Sequence, residues 1–317
     1  MVEGFNNNNN SKISGFYVFG DSTVDPGNNN YINTPFKSNF PPYGIDFPNH
    51  LPTGRFCNGK LATDYIASYA GVKESFLPPY LDPNLSVEEL ITGVSFASAG
   101  SGFDQLTPSI SNVIPIGKQL EYFRECKRKI EDTLGKEGTE NHIEKAAFFL
   151  SAGTNDFDVV AEGARKIAVA GVPPMGCLPL MITLNSNSPD NGILHRECID
   201  QYSSVARDYN NLLQQELHLL QLHLNNNISS PPKIYYVDIY APLAQMIQAP
   251  QSYGFDEVGS GCCGSGYIEA SILCNKISGA CSDPSKYVFW DAIHPTDKAY
   301  HNLFLASIPI IDFIINN

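Results

Sequence analysis

Three short polar stretches carry the side chains that acyl transfer uses. Phe19-Gly20-Asp21-Ser22 closes the apolar run Gly15–Phe19, and a Gly before a Ser permits a tight turn that exposes the hydroxyl beyond a strand end. Asp291-Ala-Ile-His294-Pro295 closes another run, Tyr287–Trp290. Asp and His three residues apart on a turn can meet, the carboxylate holding one ring nitrogen and leaving the other as a base. Ala152-Gly153-Thr154-Asn155-Asp156 follows a third run, and the Asn155 amide can donate to an oxyanion. Each stretch has a plainer reading. Asp21 and Ser22 are good helix caps, Asp291 to Pro295 reads as a turn before a helix starting at Pro295, and Asn155 tolerates turn geometry. Three strand ends, each with a group acyl transfer requires, favour the chemical reading.

The elements that must hold these groups are short. Gly15–Phe19, Val94–Ala97, Ala146–Leu150, Lys166–Ala170 and Lys233–Val237 are brief apolar runs, as in strands buried on both faces of a parallel sheet. Two intervening segments have helical periodicity. In the first, Leu120, Phe123, Ile130 and Leu134 lie near one face; in the second, apolar residues from Tyr202 to Leu224 recur every three or four positions. Strands alternating with helices predict a three-layer α/β/α sandwich in one domain, residues 14–317, after a mobile tail of residues 1–13. The stretch Asn28 to Pro52, rich in Asn, Pro and Gly, reads as a long surface loop framing the site.

Composition narrows the partners. The net charge of -13 disfavours nucleic acid and anionic lipid head groups, and no uninterrupted apolar run reaches a membrane span. Eight cysteines fit disulfides of a secreted protein, with four between Cys262 and Cys281 in a Gly- and Ser-rich loop. The spacing there lacks a C-x2-C pair, which argues against zinc. Residues 1–10 lack the basic and apolar regions of a signal peptide, whereas sequons at Asn9, Asn84 and Asn227 suit a secreted glycoprotein. His50, His142, His195, His218, His223 and His301 fit no catalytic or metal pattern and read as structural or surface residues.

Together the blocks resemble the plant branch of the GDSL esterases and lipases, or SGNH hydrolases, over about Gly15 to Phe304. The first block is Phe19-Gly20-Asp21-Ser22-Thr23 through Tyr31, with Thr23 where the family has Leu. Gly93 to Gly102 is similar to the second, Gly153-Thr-Asn155-Asp156 to the third and Asp291-Ala-Ile-His294-Pro295 to the fifth. Gly163-Ala-Arg-Lys166, Val172 to Pro179 and Gly261-Cys-Cys-Gly264 also match. The resemblance implies a flavodoxin-like three-layer sandwich with a mostly parallel sheet. It implies Ser22 as nucleophile, His294 as base and Asp291 as its orienter. The Ser22 and Gly100 N–H groups and the Asn155 amide would form the oxyanion hole. Neither metal nor organic cofactor is implied; the substrate would be a small-molecule or lipid ester.

The chain departs from the family pattern in one place. Only Phe157 to Glu162 separates the third block from Gly163, where plant members carry a helical segment of some tens of residues. A parallel crossover with its helix needs at least about 10–12 residues. The sheet face between the flanking strands is therefore expected to lose its covering helix, with a cost in solubility and activity. The leading function is hydrolysis of carboxylic esters. The alternatives are acyl transfer by the same residues and a truncated, non-catalytic family member.

Overall fold

A computed structural model describes residues 13–102, 112–151, 157–185 and 196–316, with the backbone alone at 157 and 158. Strands β1 (Phe16–Gly20), β2 (Ala147–Ser151), β3 (Lys166–Ala170) and β4 (Lys233–Val237) form one parallel sheet in the order β1-β2-β3-β4. The register runs Phe16 to Ala147 to Lys166 to Lys233. The run Val94–Ala97 lies along the free edge of β1. Val18 donates to the Val94 carbonyl, Phe96 to the Val18 carbonyl and Ser98 to the Gly20 carbonyl, although the pairing amounts to one bridge at Ser95. The spatial order of these runs, second-first-third-fourth-fifth, is that of a flavodoxin-like sheet.

Alternation along the strands makes three layers. The helices are α1 (Ala62–Tyr69), α2 (Val87–Thr92), α3 (Ile116–Lys145), α4 (Phe157–Ala161), α5 (Pro179–Leu184), α6 (Asp200–Asn227), α7 (Tyr240–Gln248) and α8 (Asp297–Asn316). Tyr17, Phe19, Phe148, Leu150, Ile167 and Val169 point to one face of the sheet. On that first face the partners are Leu90 of α2, Leu120, Phe123, Cys126 and Ile130 of α3, and Leu213 and Leu217 of α6. Phe16, Val18, Ala147, Phe149, Ala168 and Ala170 point to the other, against Ile66 and Ala67 of α1 and Phe304, Ile311 and Ile314 of α8. Helix α8 has the length and composition to cross a membrane, but its apolar side chains Leu303, Phe304, Ile311 and Ile314 are buried in the fold.

Several expectations are corrected. The connector between β2 and β3 does not leave the sheet bare. It forms the single turn of α4, which buries Val159, and Glu162 pairs with Arg124 and Lys127 of α3. Helices α3 and α6 cover the rest of that face, so Ile167 and Val169 are buried. Leu134 is 40% exposed, because α3 breaks beside it at Gly135, where φ is 69°. On α6, Val205 and Leu212 face outward while Leu213, Leu217 and Leu224 are buried. Ile13, assigned to the tail, is buried against the α1–α8 face; residues 1–12 lie outside the described residues.

The run Tyr287–Phe289 is a strand, β6, but it pairs with β5 (Glu257–Gly261) in a separate two-stranded parallel sheet. The sequence reading missed β5, whose composition, Glu-Val-Gly-Ser-Gly, has little β-propensity. Disulfides join Cys177 to Cys198, Cys262 to Cys281 and Cys263 to Cys274, while Cys57 and Cys126 are buried free thiols. Two of the three bridges staple the loop after β5.

Candidate active site

Strand β1 ends in a turn that only Gly permits. Gly20 has φ 147°, and a Cβ there would lie 2.8 Å from the Ser151 carbonyl oxygen. The Gln119 side chain completes the strand end: its Oε1 accepts from the Gly20 N–H and its Nε2 donates to the Gly20 carbonyl, both at 2.9 Å. The next two residues then divide the readings offered by their types. Asp21 is the capping residue: its carboxylate accepts from the Thr23 N–H and hydroxyl at 2.8 and 2.7 Å, closing a turn. Burial pushes its carboxyl up; the Thr23 donors and the positive potential of His294 oppose that. The Ser22 hydroxyl is left out of the turn's hydrogen bonds, and Oγ lies 2.8 Å from His294 Nε2.

The loop after β6 shapes the other half. Trp290 N–H donates to the His294 carbonyl at 2.7 Å, folding Asp291 and His294 onto one another. Asp291 Oδ1 accepts the N–H groups of Ile293 and His294, both at 2.8 Å. His294 Nδ1 sits 2.9 Å from Asp291 Oδ1 and 2.8 Å from Oδ2. A carboxylate only accepts, so Nδ1 carries the ring proton and Nε2 presents its lone pair to Ser22. Asp291 is fully buried and His294 is 4% exposed, with the ring centroid 5.0 Å from that of Phe56. Helix α8 begins at Asp297, two residues after Pro295, so the helix-start reading of Pro295 is not what the fold uses.

Gly100 lies in a tight turn, with Ser101 N–H donating to the Ser98 carbonyl, and adopts φ 85°. A Cβ at Gly100 would find Phe36 and Val113 at an ordinary 3.5 Å, so the backbone conformation, not crowding, calls for Gly. Asn155 lies outside the described residues.

Several residues supporting this site escaped the sequence reading. Asp25 is fully buried and accepts from the N–H groups of Gly27, Asn28 and Ala99 at 2.8, 2.7 and 2.9 Å. Burial pushes its carboxyl up to about 6 against those donors. The Asn28 amide donates to the carbonyls of Ser95 and Ala97, and the Asn29 amide to those of Phe36 and Ala99. The segment from Asn28 is therefore no plain surface loop: its polar side chains turn inward and serve as backbone partners for the Gly100 turn. Tyr43, at 1% exposure, donates to Asp291 Oδ2. A run of Asn reads as loop composition, and no single-residue signal marks one that is buried.

The other histidines behave as read where they are described. His142 packs beneath β1 with its Nε2 3.0 Å from the Tyr17 hydroxyl, and His301 packs on Tyr65. His50, His218 and His223 are exposed, and His195 lies outside the described residues.

An α/β/α sandwich that brings a Ser, a His and a buried Asp into one hydrogen-bonded line beyond its strand ends has the parts of a serine acyl hydrolase. The family model for GDSL-like lipases and acylhydrolases matches residues 16–159 and 158–306. Three GDSL esterase/lipases of Arabidopsis thaliana are similar. One is 54% identical over 337 residues, spanning 96% of this chain and 88% of the relative. A second is 43% identical, spanning 91% of this chain and 87% of the relative. A third is 39% identical, spanning 98% of this chain and 92% of the relative. The chain belongs to the GDSL esterase/lipase family. The two matched segments meet within α4.

Proposed function

We propose that this protein hydrolyses carboxylic esters of small molecules or lipids through an acyl-Ser22 intermediate. The observation that carries this reading is the continuous line Ser22 Oγ, His294, Asp291, with contacts of 2.8 Å at each end of the imidazole. His294 Nε2 takes the Ser22 proton as Oγ attacks the ester carbonyl. Asp291 keeps the ring in the tautomer that can do so and stabilises the imidazolium that forms. The oxyanion is met by the N–H groups of Ser22 and Gly100 and by the Asn155 amide, each donor contributing about 2.7–4 kcal/mol in comparable sites. The imidazolium then protonates the departing alcohol, and the same nitrogen activates the water that releases the acid.

Three disulfides need an oxidising compartment to persist, and the sequons at Asn84 and Asn227 both sit on exposed residues. They support the reading that the protein is secreted and acts outside the cell. Fluorophosphonate labelling tests the mechanism. One label per chain, blocked by prior incubation with an ester-like inhibitor and absent from Ser22→Ala, is the expected result. An unlabelled wild-type chain that is otherwise folded would refute the reading.

A further inference from the structure

We propose that Tyr43 is a positioning residue of this site, its phenol setting how strongly Asp291 holds His294; the proposal rests on the hydrolase reading above. Asp291 Oδ1 is served by two backbone N–H groups, whereas among the described residues the partners of Oδ2 are the His294 ring and the Tyr43 hydroxyl, at 2.8 Å each. The phenol's direction is determined. Its oxygen accepts the Ser271 N–H at 2.8 Å, so its single proton points to the carboxylate. Burial, and the Asp291 charge beside it, push the Tyr43 phenol well up, which keeps it a donor.

The other titratable groups around this cluster are Cys57, Tyr300 and Asp21. Cys57 and Tyr300 are held neutral by burial, and neither donates to Asp291 among the described hydrogen bonds. Asp21 spends its carboxylate on Thr23.

Ser271 itself is held in place from outside the site. It adopts φ 50°, and its hydroxyl lies 3.1 Å from the carbonyls of Pro35 and Lys37. The Cys263–Cys274 disulfide closes the loop around it. The stapled loop therefore reaches the catalytic line through one phenol. A donor on Oδ2 draws charge from the carboxylate and weakens its hold on the imidazolium; without it, His294 should keep its proton to higher pH.

The test compares wild type with Tyr43→Phe, which keeps the ring contacts to Phe40, Phe56 and Trp290. With p-nitrophenyl acetate, the acid limb of kcat/KM should move up by about 0.5–1 pH unit, and the plateau should fall roughly tenfold. A second readout needs no turnover: the His294 ring proton signal, assigned by its loss in His294→Gln, should titrate at higher pH in Tyr43→Phe. Replacing Tyr43 by 3-fluorotyrosine, a stronger donor, should move the same signal the other way, and it carries the test alone if Tyr43→Phe does not fold. Unchanged titration with either replacement overturns the proposal, whether or not the wild type hydrolyses esters. Opposite shifts in a wild type that turns over no ester would uphold the Tyr43 coupling and refute the hydrolase reading instead.

Discussion

Asp25 accepts the Ala99 N–H at 2.9 Å across 74 residues of chain, so the segment after Ser22 sets the conformation of the turn that carries Gly100. The same carboxyl accepts from Gly27 and Asn28, which ties both sides of the proposed oxyanion hole to one buried group.

Asp25→Asn puts an NH2 where an acceptor is needed, leaving one buried N–H unpaired. The expected cost is about 1–3 kcal/mol of stability, with a lower kcat. The deficit should depend on pH with a definite sign. The folded chain keeps the Asp25 proton up to about 6, whereas an unfolded carboxyl loses it near ~4. The stability from this group is complete below that lower value and is lost as pH rises through 6. Thermal melts of both proteins from pH 4 to 7 should show the deficit shrinking upward; a deficit that grows with pH contradicts the assignment.

Ser22→Ala should abolish hydrolysis of a simple acyl ester and leave the melting temperature within a few degrees of wild type. The Ser22 hydroxyl takes no part in the hydrogen bonds by which Asp21 and Thr23 close the turn, so losing it removes none of those bonds. Substantial residual turnover by the purified variant would exclude Ser22 as the nucleophile.

Asn155→Ala should reduce kcat by roughly 10²–10³ with little change in KM, because an oxyanion donor acts mainly on charge that develops in the transition state. Steady-state kinetics with two acyl esters decide the matter. An effect confined to KM would assign Asn155 to ground-state binding.

Joint replacement of Cys263 and Cys274 by Ser opens an 11-residue separation and should cost about 2–4 kcal/mol of stability. Activity should fall further than the stability loss alone explains when assayed well below the melting temperature, since Ser271 lies inside that loop and bonds to Tyr43. Circular dichroism melts and kcat/KM at 20 °C, measured on the same sample, separate the two effects. A variant that melts lower but retains wild-type kcat/KM would show that the staple does not reach the site.

What the sequence determined by itself is local. Short, mostly apolar runs mark β1 to β4 almost to the residue, because strands such as β1 and β2, buried on both faces, leave little room for polar side chains. Asp291 and His294 meet because three residues on a turn bring them together. Tertiary structure decided what depends on distant partners. It placed Ser22 against His294 across 272 residues, chose among the cysteine pairings, and turned Asn28, Asn29 and Tyr43 inward. It also resolved the short connector. From length alone the sheet face between β2 and β3 should lie bare, yet α3, α6 and Val159 cover it. Burial is a property of everything packed around a position, and side-chain periodicity records only one element's share of it.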